Sequence, residues 1–200
     1  MMKRKIVVMI TLTMCLISPS SVFAGDSLDT VHAYVDRVLE VLRDPSLKGS
    51  ESANKVKREK IRAVANEMFD FAELSKRTLA QNWRKFDVNQ QKEFVTLFKS
   101  LLANVYADKL LKYTNERIVF DQEIPLTEKT VEVRSTVLSK TCDIPINYRV
   151  MLETDGWKVY DVVIEGVSLI NNYRAQFRDM LSKKPPDSLI ETLRKKVAKG

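Results

Sequence analysis

The sequence predicts an α+β protein in which one antiparallel sheet of about four strands is packed by long helices. Apolar residues recur at helical spacing from residue 28 to about residue 113 and alternate with polar residues from about residue 117 to 165. Helical spacing then returns from about residue 168. No repeat, low-complexity stretch or long linker interrupts the chain after residue 24. We therefore expect residues 25–200 to form a single domain.

The first 24 residues have the order of a secretory signal peptide. Positive residues 3–5 precede an apolar run at residues 6–17, and small residues stand at positions 22 and 24. The alternative, a transmembrane anchor, is disfavoured because the run is too short to span a bilayer. We expect cleavage after Ala24, which lowers the net charge from +7 to +4. That charge fits weak attraction to anionic membrane surfaces and is too small to indicate nucleic-acid binding.

Removal of residues 1–24 leaves Cys142 as the one cysteine of the chain, so no internal disulfide is expected. It lies beside Ile144, near a predicted strand, and a buried, inert thiol is the favoured interpretation.

Three helices are predicted before residue 84. The first ends at Asp44 and Pro45, and its apolar residues at helical spacing are Leu28, Val31, Val35, Val38, Leu39 and Leu42. A charge-rich second helix covers about Ser52 to Asn66, and a third segment runs from Phe69 to about Trp83.

The fourth predicted helix begins after Asp87 and runs to about Tyr113. Asp87 and Gln90 have the spacing of a capping box. Its apolar residues cover roughly 180° of the circumference, more than the ~100° stripe of an ordinary surface helix. We therefore expect other elements to cover this helix from more than one direction.

Four strands are predicted next: Arg117 to Ile124, Val131 to Val137, Ile144 to Leu152 and Trp157 to Glu165. Asp155 and Gly156 form the last hairpin turn. The sequence does not show which face of the fourth strand is buried, because residues 162–164 are all apolar.

Two helices close the chain. One begins at about Ser168, and the other follows Pro185 and Pro186 with Asp187 or Ser188 as its cap. The last helix has a basic side formed by Arg194, Lys195, Lys196 and Lys199. A solvated face is the favoured interpretation, with docking to a membrane or an acidic partner as the alternative.

The sequence lacks the spaced groups of residues that form common catalytic sites. His32 is the only histidine and has no His or Cys at metal-ligand spacing, so we expect a structural histidine and no metal site. Nucleophile elbows and glycine-rich phosphate loops are absent. Asp161 is the best candidate acid, with Tyr148 or Tyr173 as its partner. Its favoured role is structural, as a loop cap or neutralised by an arginine such as Arg174.

Two stretches of the sequence resemble the toluene-tolerance or Mla-type periplasmic phospholipid-binding proteins, auxiliary components of an ABC transporter. The first contains residues 69–71, Leu74, Ser75, Leu79, Trp83, Gln91, Phe94, Phe98, Leu101, Leu102 and Tyr106. The second contains residues 157–168, 172–174, Gln176 and Phe177.

The resemblance implies a fold related to the nuclear-transport-factor-like cone, opened into a lipid cavity, whereas the apolar pattern alone favours a closed core. It also implies a periplasmic carrier that moves phospholipid between the outer and inner membranes and maintains outer-membrane lipid asymmetry. The implied partners are phospholipid, an inner-membrane ABC transporter complex and an outer-membrane lipoprotein–porin complex, with no cofactor and no enzymatic activity. We expect a monomer.

By inference, acyl chains contact apolar side chains of the long helix, the sheet and the following helix. The predicted lining residues are Leu79, Trp83, Phe94, Phe98, Leu101, Leu102, Val105, Tyr106, Val133, Val137, Ile146, Tyr148, Val150, Tyr173 and Phe177. The main alternative is a small-molecule isomerase or hydrolase on a related cone-shaped fold that uses Asp161. A protein-binding adaptor with a closed core and a basic docking tail is a third hypothesis.

Overall fold

A computed structural model describes residues 26–112, 116–140 and 142–199 of the chain. The predicted signal peptide lies outside these residues. The helices are α1 (Asp26–Arg43), α2 (Glu51–Met68), α3 (Phe71–Leu79), α4 (Val88–Leu111), α5 (Leu169–Leu181) and α6 (Pro186–Lys199). The strands are β1 (Arg117–Thr127), β2 (Thr130–Leu138), β3 (Ile144–Glu153), β4 (Gly156–Ile164) and β5 (Val167–Ser168). None of the described helices is both long enough and apolar enough to cross a bilayer.

Short polar side chains begin the helices of the first half. The Ser50 hydroxyl accepts a hydrogen bond from the Ala53 amide at the start of α2, and Asp70 caps α3 in the same way. The capping box predicted for α4 is confirmed, because Asp87 accepts from the Gln90 amide while the Gln90 side chain accepts from the Asp87 amide. The third predicted helix is shorter than expected. It ends at Leu79, and residues 80–85 continue as a tighter 3-10 turn.

The strands form one antiparallel sheet in the order β1-β2-β3-β4-β5, which confirms the predicted α+β class. The sheet has one strand more than expected. β5 contains only Val167 and Ser168, too few residues for an alternating pattern to reveal. It pairs with the end of β4 through a two-residue turn.

Two features made the faces of β4 hard to assign from sequence: Val163 is buried on the outer face, so residues 162–164 are all apolar, and the register shifts by one residue before them. Val150 lies opposite Val159, whereas Arg149 lies opposite Asp161, so β4 contains one extra residue at this point. Val159 and Val162 therefore share the face that packs on α1, which we call the inner face. Asp161 lies on the outer face.

Two apolar clusters stabilise the fold. The sheet cluster joins α1 and α2 to the inner face and centres on Val31, Val133, Val150 and Val159. The helical cluster joins α3, α4, α5 and α6, and its buried aromatic residues include Phe94, Phe98, Tyr173 and Phe177. Because α4 packs against several helices at once, the expectation from its wide apolar face is confirmed.

The C-terminal helices differ from the prediction in one detail. Helix α5 begins next to Ser168, as expected, and the Ser168 hydroxyl caps it by accepting a hydrogen bond from the Asn171 amide. The last helix begins at Pro186, so capping by Asp187 or Ser188 is wrong: proline is favoured in the first helical position, and Asp187 lies inside the first turn. The basic side of α6 is exposed, and Arg194 there pairs with Glu93 at 2.6 Å.

The prediction of a buried thiol is wrong, since Cys142 is exposed. It lies in the β2–β3 connection two residues before β3 begins, outside the pleated surface that buries neighbouring side chains. His32 is an exposed structural residue, as expected, with its ring against Phe120 at a centroid distance of 4.7 Å.

The capping box should contribute measurably to stability. We predict that Asp87→Ala lowers the free energy of unfolding by about 1 kcal/mol, because two amides at the start of α4 lose their acceptor. Urea denaturation measures the change, and Asn89→Ala is the matched control on the same exposed turn. Equal effects of both substitutions would contradict this role for Asp87.

Candidate functional site

The inner face of the sheet is mostly apolar, with Glu123 and Ser135 as its polar members, and helices cover it unevenly. Residues opposite each other in neighbouring strands form rows across this face. Across β2, β3 and β4, from one end to the other, the rows are Val131, Val150 and Val159; Val133, Tyr148 and Val162; Ser135, Ile146 and Ile164; and Val137 and Ile144. Beside these rows, in the same order, β1 places Pro125, Glu123, Phe120 and Ile118, and the Glu123 carboxylate accepts hydrogen bonds from Ser27 and Leu28 of α1. The first row is at most 8% exposed, whereas the apolar residues of the last two rows are only partly buried.

We call the less covered part the open end of the inner face. Its eight members are Ile118, Phe120, Val137, Ile144, Ile146, Tyr148, Val162 and Ile164, and all are partly buried. Helix α1 covers the other end through Val31 and Val35, while Leu111 at the end of α4 packs against the sheet cluster. The structure thus leaves an apolar surface partly accessible between a sheet and its covering helices, the kind of concave surface on which apolar ligands bind.

A groove of about 200 Å³ leads to the open end. We call it the mouth groove. Its lining residues are Tyr106, Lys109, Val162, Ile164, Glu165, Val167, Leu169 and Asn172. Among these lining residues, Val167 is 59% exposed, and Val105 and Leu110, which are next in the chain to the lining residues Tyr106 and Lys109, are 40% and 37% exposed. Apolar surface therefore continues from the inner face to the exterior.

Tyr148 occupies the centre of the site on the middle strand. Burial raises the pKa of the Tyr148 hydroxyl to about 12, and a hydrogen bond with Ser135 acts in the opposite direction. The side chain nevertheless retains accessible surface.

Asp161 has a structural environment on the outer face. Its carboxylate accepts hydrogen bonds from the Ser168 hydroxyl at 2.7 Å and the Ile170 amide at 3.0 Å, and it lies 3.3 Å from Arg149. The prediction that Arg174 neutralises Asp161 is wrong, because Arg174 donates a hydrogen bond to the Arg77 carbonyl. Arg149 also reaches Glu132 at 3.1 Å. Asp161 thus joins β4 to the start of α5, and it lies on the opposite face from Tyr148.

The structure divides the predicted lining residues among four environments. Nine belong to the helical cluster: Leu79, Trp83, Phe94, Phe98, Leu101, Leu102, Tyr106, Tyr173 and Phe177. Val133, Tyr148 and Val150 belong to the sheet cluster, Val137 and Ile146 lie at the open end, and Val105 is exposed.

Several of these residues face no open space in this structure. Phe94, Phe98, Val133 and Val150 have an exposed fraction of 0%. Of the predicted residues, Tyr106 lines the mouth groove, and Val137, Ile146 and Tyr148 lie at the partly buried open end. Ile118 and Val162 also lie at the open end but were not among the predicted lining residues. The alternation of apolar and polar residues in β1 could have indicated Ile118. The register shift hid Val162.

A second cleft, of about 460 Å³, lies at the other end of the sheet. It is lined by Asp26, Asp29, Thr30, Leu152, Gly156 and Trp157. Among the described residues, no group of three or more His, Cys, Asp or Glu side chains is placed to hold a metal ion.

Comparison with known proteins places the chain among lipid-binding relatives. The model of the MlaC protein family matches residues 32–195. The intermembrane phospholipid transport system binding protein MlaC of Haemophilus influenzae is 24% identical over 143 residues, which are 68% of this chain and 67% of that protein. The toluene tolerance protein ttg2D of Pseudomonas putida is 28% identical over 105 residues, 52% of this chain and about half of that protein.

A solved structure has the same architecture. The phospholipid-binding protein of Ralstonia solanacearum, solved in complex with a phospholipid, is 28% identical and superposes with a TM-score of 0.76. The match covers 88% of this chain and 98% of that one.

The desolvation of Tyr148 predicts a specific pH dependence. In the unfolded chain a tyrosine ionises near pH 10, whereas the folded protein holds the Tyr148 proton to about pH 12. The raised pKa of Tyr148 adds to the free energy of unfolding. This contribution is fully present below about pH 10 and is lost as the pH rises through about 12. We predict that Tyr148→Phe removes part of the decline in unfolding free energy over this interval, measured by urea denaturation. Identical slopes for the variant and the parent protein would contradict the assignment.

Proposed function

The chain belongs to the MlaC protein family, and from this premise we propose that it is a carrier of phospholipid between membranes. The observation that carries the proposal is the open end of the inner face, a partly accessible apolar surface in a fold whose solved relative holds a phospholipid.

Without a carrier, moving a phospholipid through water has a large free-energy cost. Transfer of a phospholipid with about 28 methylene groups in its two chains into water costs about 0.8 kcal/mol of free energy per methylene, or roughly 20 kcal/mol in total. An apolar site inside a protein avoids most of this cost. It needs few polar groups, because the head group remains at the surface.

We place the acyl chains against the open end, in contact with Ile118, Val137, Ile146, Tyr148 and Val162. Leu102 and Tyr106 on α4 form the opposite wall under this proposal. The fully buried Phe94 and Phe98 support that wall from behind. Deeper entry of the chains requires the helical cluster to separate from the sheet, which would bring further predicted lining residues into contact.

Localisation and partners follow from the same proposal. We propose that residues 1–24 are a cleaved signal peptide and that residues 25–200 act as a single, monomeric domain in the periplasm. An inner-membrane ABC transporter complex and an outer-membrane lipoprotein–porin complex would exchange lipid with it.

A role in transport requires no catalytic group. Asp161 is 1% exposed, and its carboxylate oxygens are occupied by bonds that hold α5 against β4. We therefore assign Asp161 a structural role.

The proposal predicts co-purifying lipid. Residues 25–200, obtained from the periplasm of a Gram-negative host without detergent, should give a native mass spectrum with about one phospholipid per chain. The lipid should leave on denaturation and be identified by its fragment masses. Protein at its bare chain mass, still empty after incubation with phospholipid vesicles, would contradict the carrier function.

A pair of variants on one strand locates the site. Ile146→Glu places a charge at the open end and should lower bound lipid at least about tenfold, because a carboxylate beside acyl chains is costly to desolvate. Asn147→Glu introduces the same charge on the outer face and should retain lipid. Thermal unfolding checks that both variants fold, and equal lipid contents would contradict the placement of the chains.

A further inference from the structure

We propose that the mouth groove recognises the head group of a zwitterionic phospholipid with a primary ammonium group, and this inference rests on the proposed carrier function. Lys109 would bind the phosphate, and Glu165 would bind the ammonium. The groove holds these two opposite charges on separate elements, one at the end of α4 and one in the β4–β5 turn.

The two charges are available for a ligand. Within the described residues, neither Lys109 nor Glu165 takes part in an ion pair, although both line the same small groove. The Lys109 ammonium lies 5.3 Å from the centre of the Tyr106 ring, which restricts its position. Asn172 adds an amide that can donate to a phosphate oxygen.

The backbone at Glu165 supports the assignment independently. Glu165 has φ +50° and Gly166 has φ +79°, so both central residues of this two-residue turn are left-handed. Turns of this type favour Asn or Gly in both positions, and a glutamate there is a strained choice of the kind that occurs at binding sites. The Glu165 amide donates to the Pro145 carbonyl at 3.0 Å, which ties the turn to the start of β3.

The two opposite charges of the groove favour one class of phospholipid head group. The head group of phosphatidylethanolamine carries one negative and one positive group separated by two carbons, matching a groove with one cation and one anion. Phosphatidylglycerol offers no cation to Glu165. A quaternary ammonium has no N–H with which to donate to the carboxylate. The groove therefore favours the primary amine over both alternatives.

The geometry of the groove also places the rest of the lipid. Val162 and Ile164 belong both to the mouth groove and to the open end of the inner face. A head group held between Lys109 and Glu165 therefore directs its acyl chains along a continuous apolar surface into the protein.

Lipid exchange tests the proposal. The delipidated full mature chain is incubated with vesicles of equal parts phosphatidylethanolamine and phosphatidylglycerol with matched acyl chains, and the bound lipids are quantified by mass spectrometry. We expect about twofold to fivefold enrichment of phosphatidylethanolamine. Glu165→Gln should bring the bound ratio to that of the vesicles, because the ammonium loses its anionic partner. Lys109→Gln should weaken retention of both lipids, because both have a phosphate.

The matched controls are Glu128→Gln and Lys129→Gln in the exposed β1–β2 turn, which should change neither quantity. Head-group recognition is overturned if the parent protein binds lipids in the vesicle ratio, or if Glu165→Gln keeps the enrichment. A parent protein that takes up no lipid would overturn the carrier function and this inference together. A parent protein that binds about one lipid per chain, but with no enrichment of phosphatidylethanolamine, would overturn head-group recognition and leave the carrier function unaffected.

Discussion

The inner face of the sheet carries more apolar surface than its covering helices bury, and the rest of the structure depends on this mismatch. Val131, Val150 and Val159 are closed off by α1, while the rows beyond Tyr148 keep accessible surface. A sheet face that served only as a core would gain free energy from complete coverage, at about 25 cal/mol for each Å² removed from water. An apolar ligand provides that coverage reversibly, which is what a carrier requires.

The helical cluster gives the site a firm wall. Phe94, Phe98, Tyr173 and Phe177 pack edge to face or tilted, with ring centroids 5.0 to 5.7 Å apart. Asp161 joins this cluster to the sheet, since it caps the start of α5 from β4. The most buried acidic group in the sheet therefore fixes the position of the helices around the apolar surface.

Periodicity was sufficient to predict the elements of this fold, but it was insufficient to assign individual faces. The cap at Asp87 and the wide apolar side of α4 were local signals, and the structure confirms them. The alternation in β2 and β3 located the strands, but burial does not follow it, because Glu132 on the outer face is only 8% exposed. The extra residue in β4 was not readable, because it depends on which residues of β3 lie opposite. That shift decides that Val162 faces the site and Asp161 does not. The division of the predicted lining residues between two clusters likewise depends on helix packing, which a one-dimensional pattern does not encode.

A crystal structure of the lipid-loaded protein tests the proposed placement of the lipid most directly. That placement predicts acyl-chain density along the open end, within van der Waals distance of Val137, Ile146, Tyr148 and Val162, and a phosphate at the mouth groove. Acyl chains lying instead in the cleft beside Asp26 and Trp157, or no chains within the fold, would contradict it.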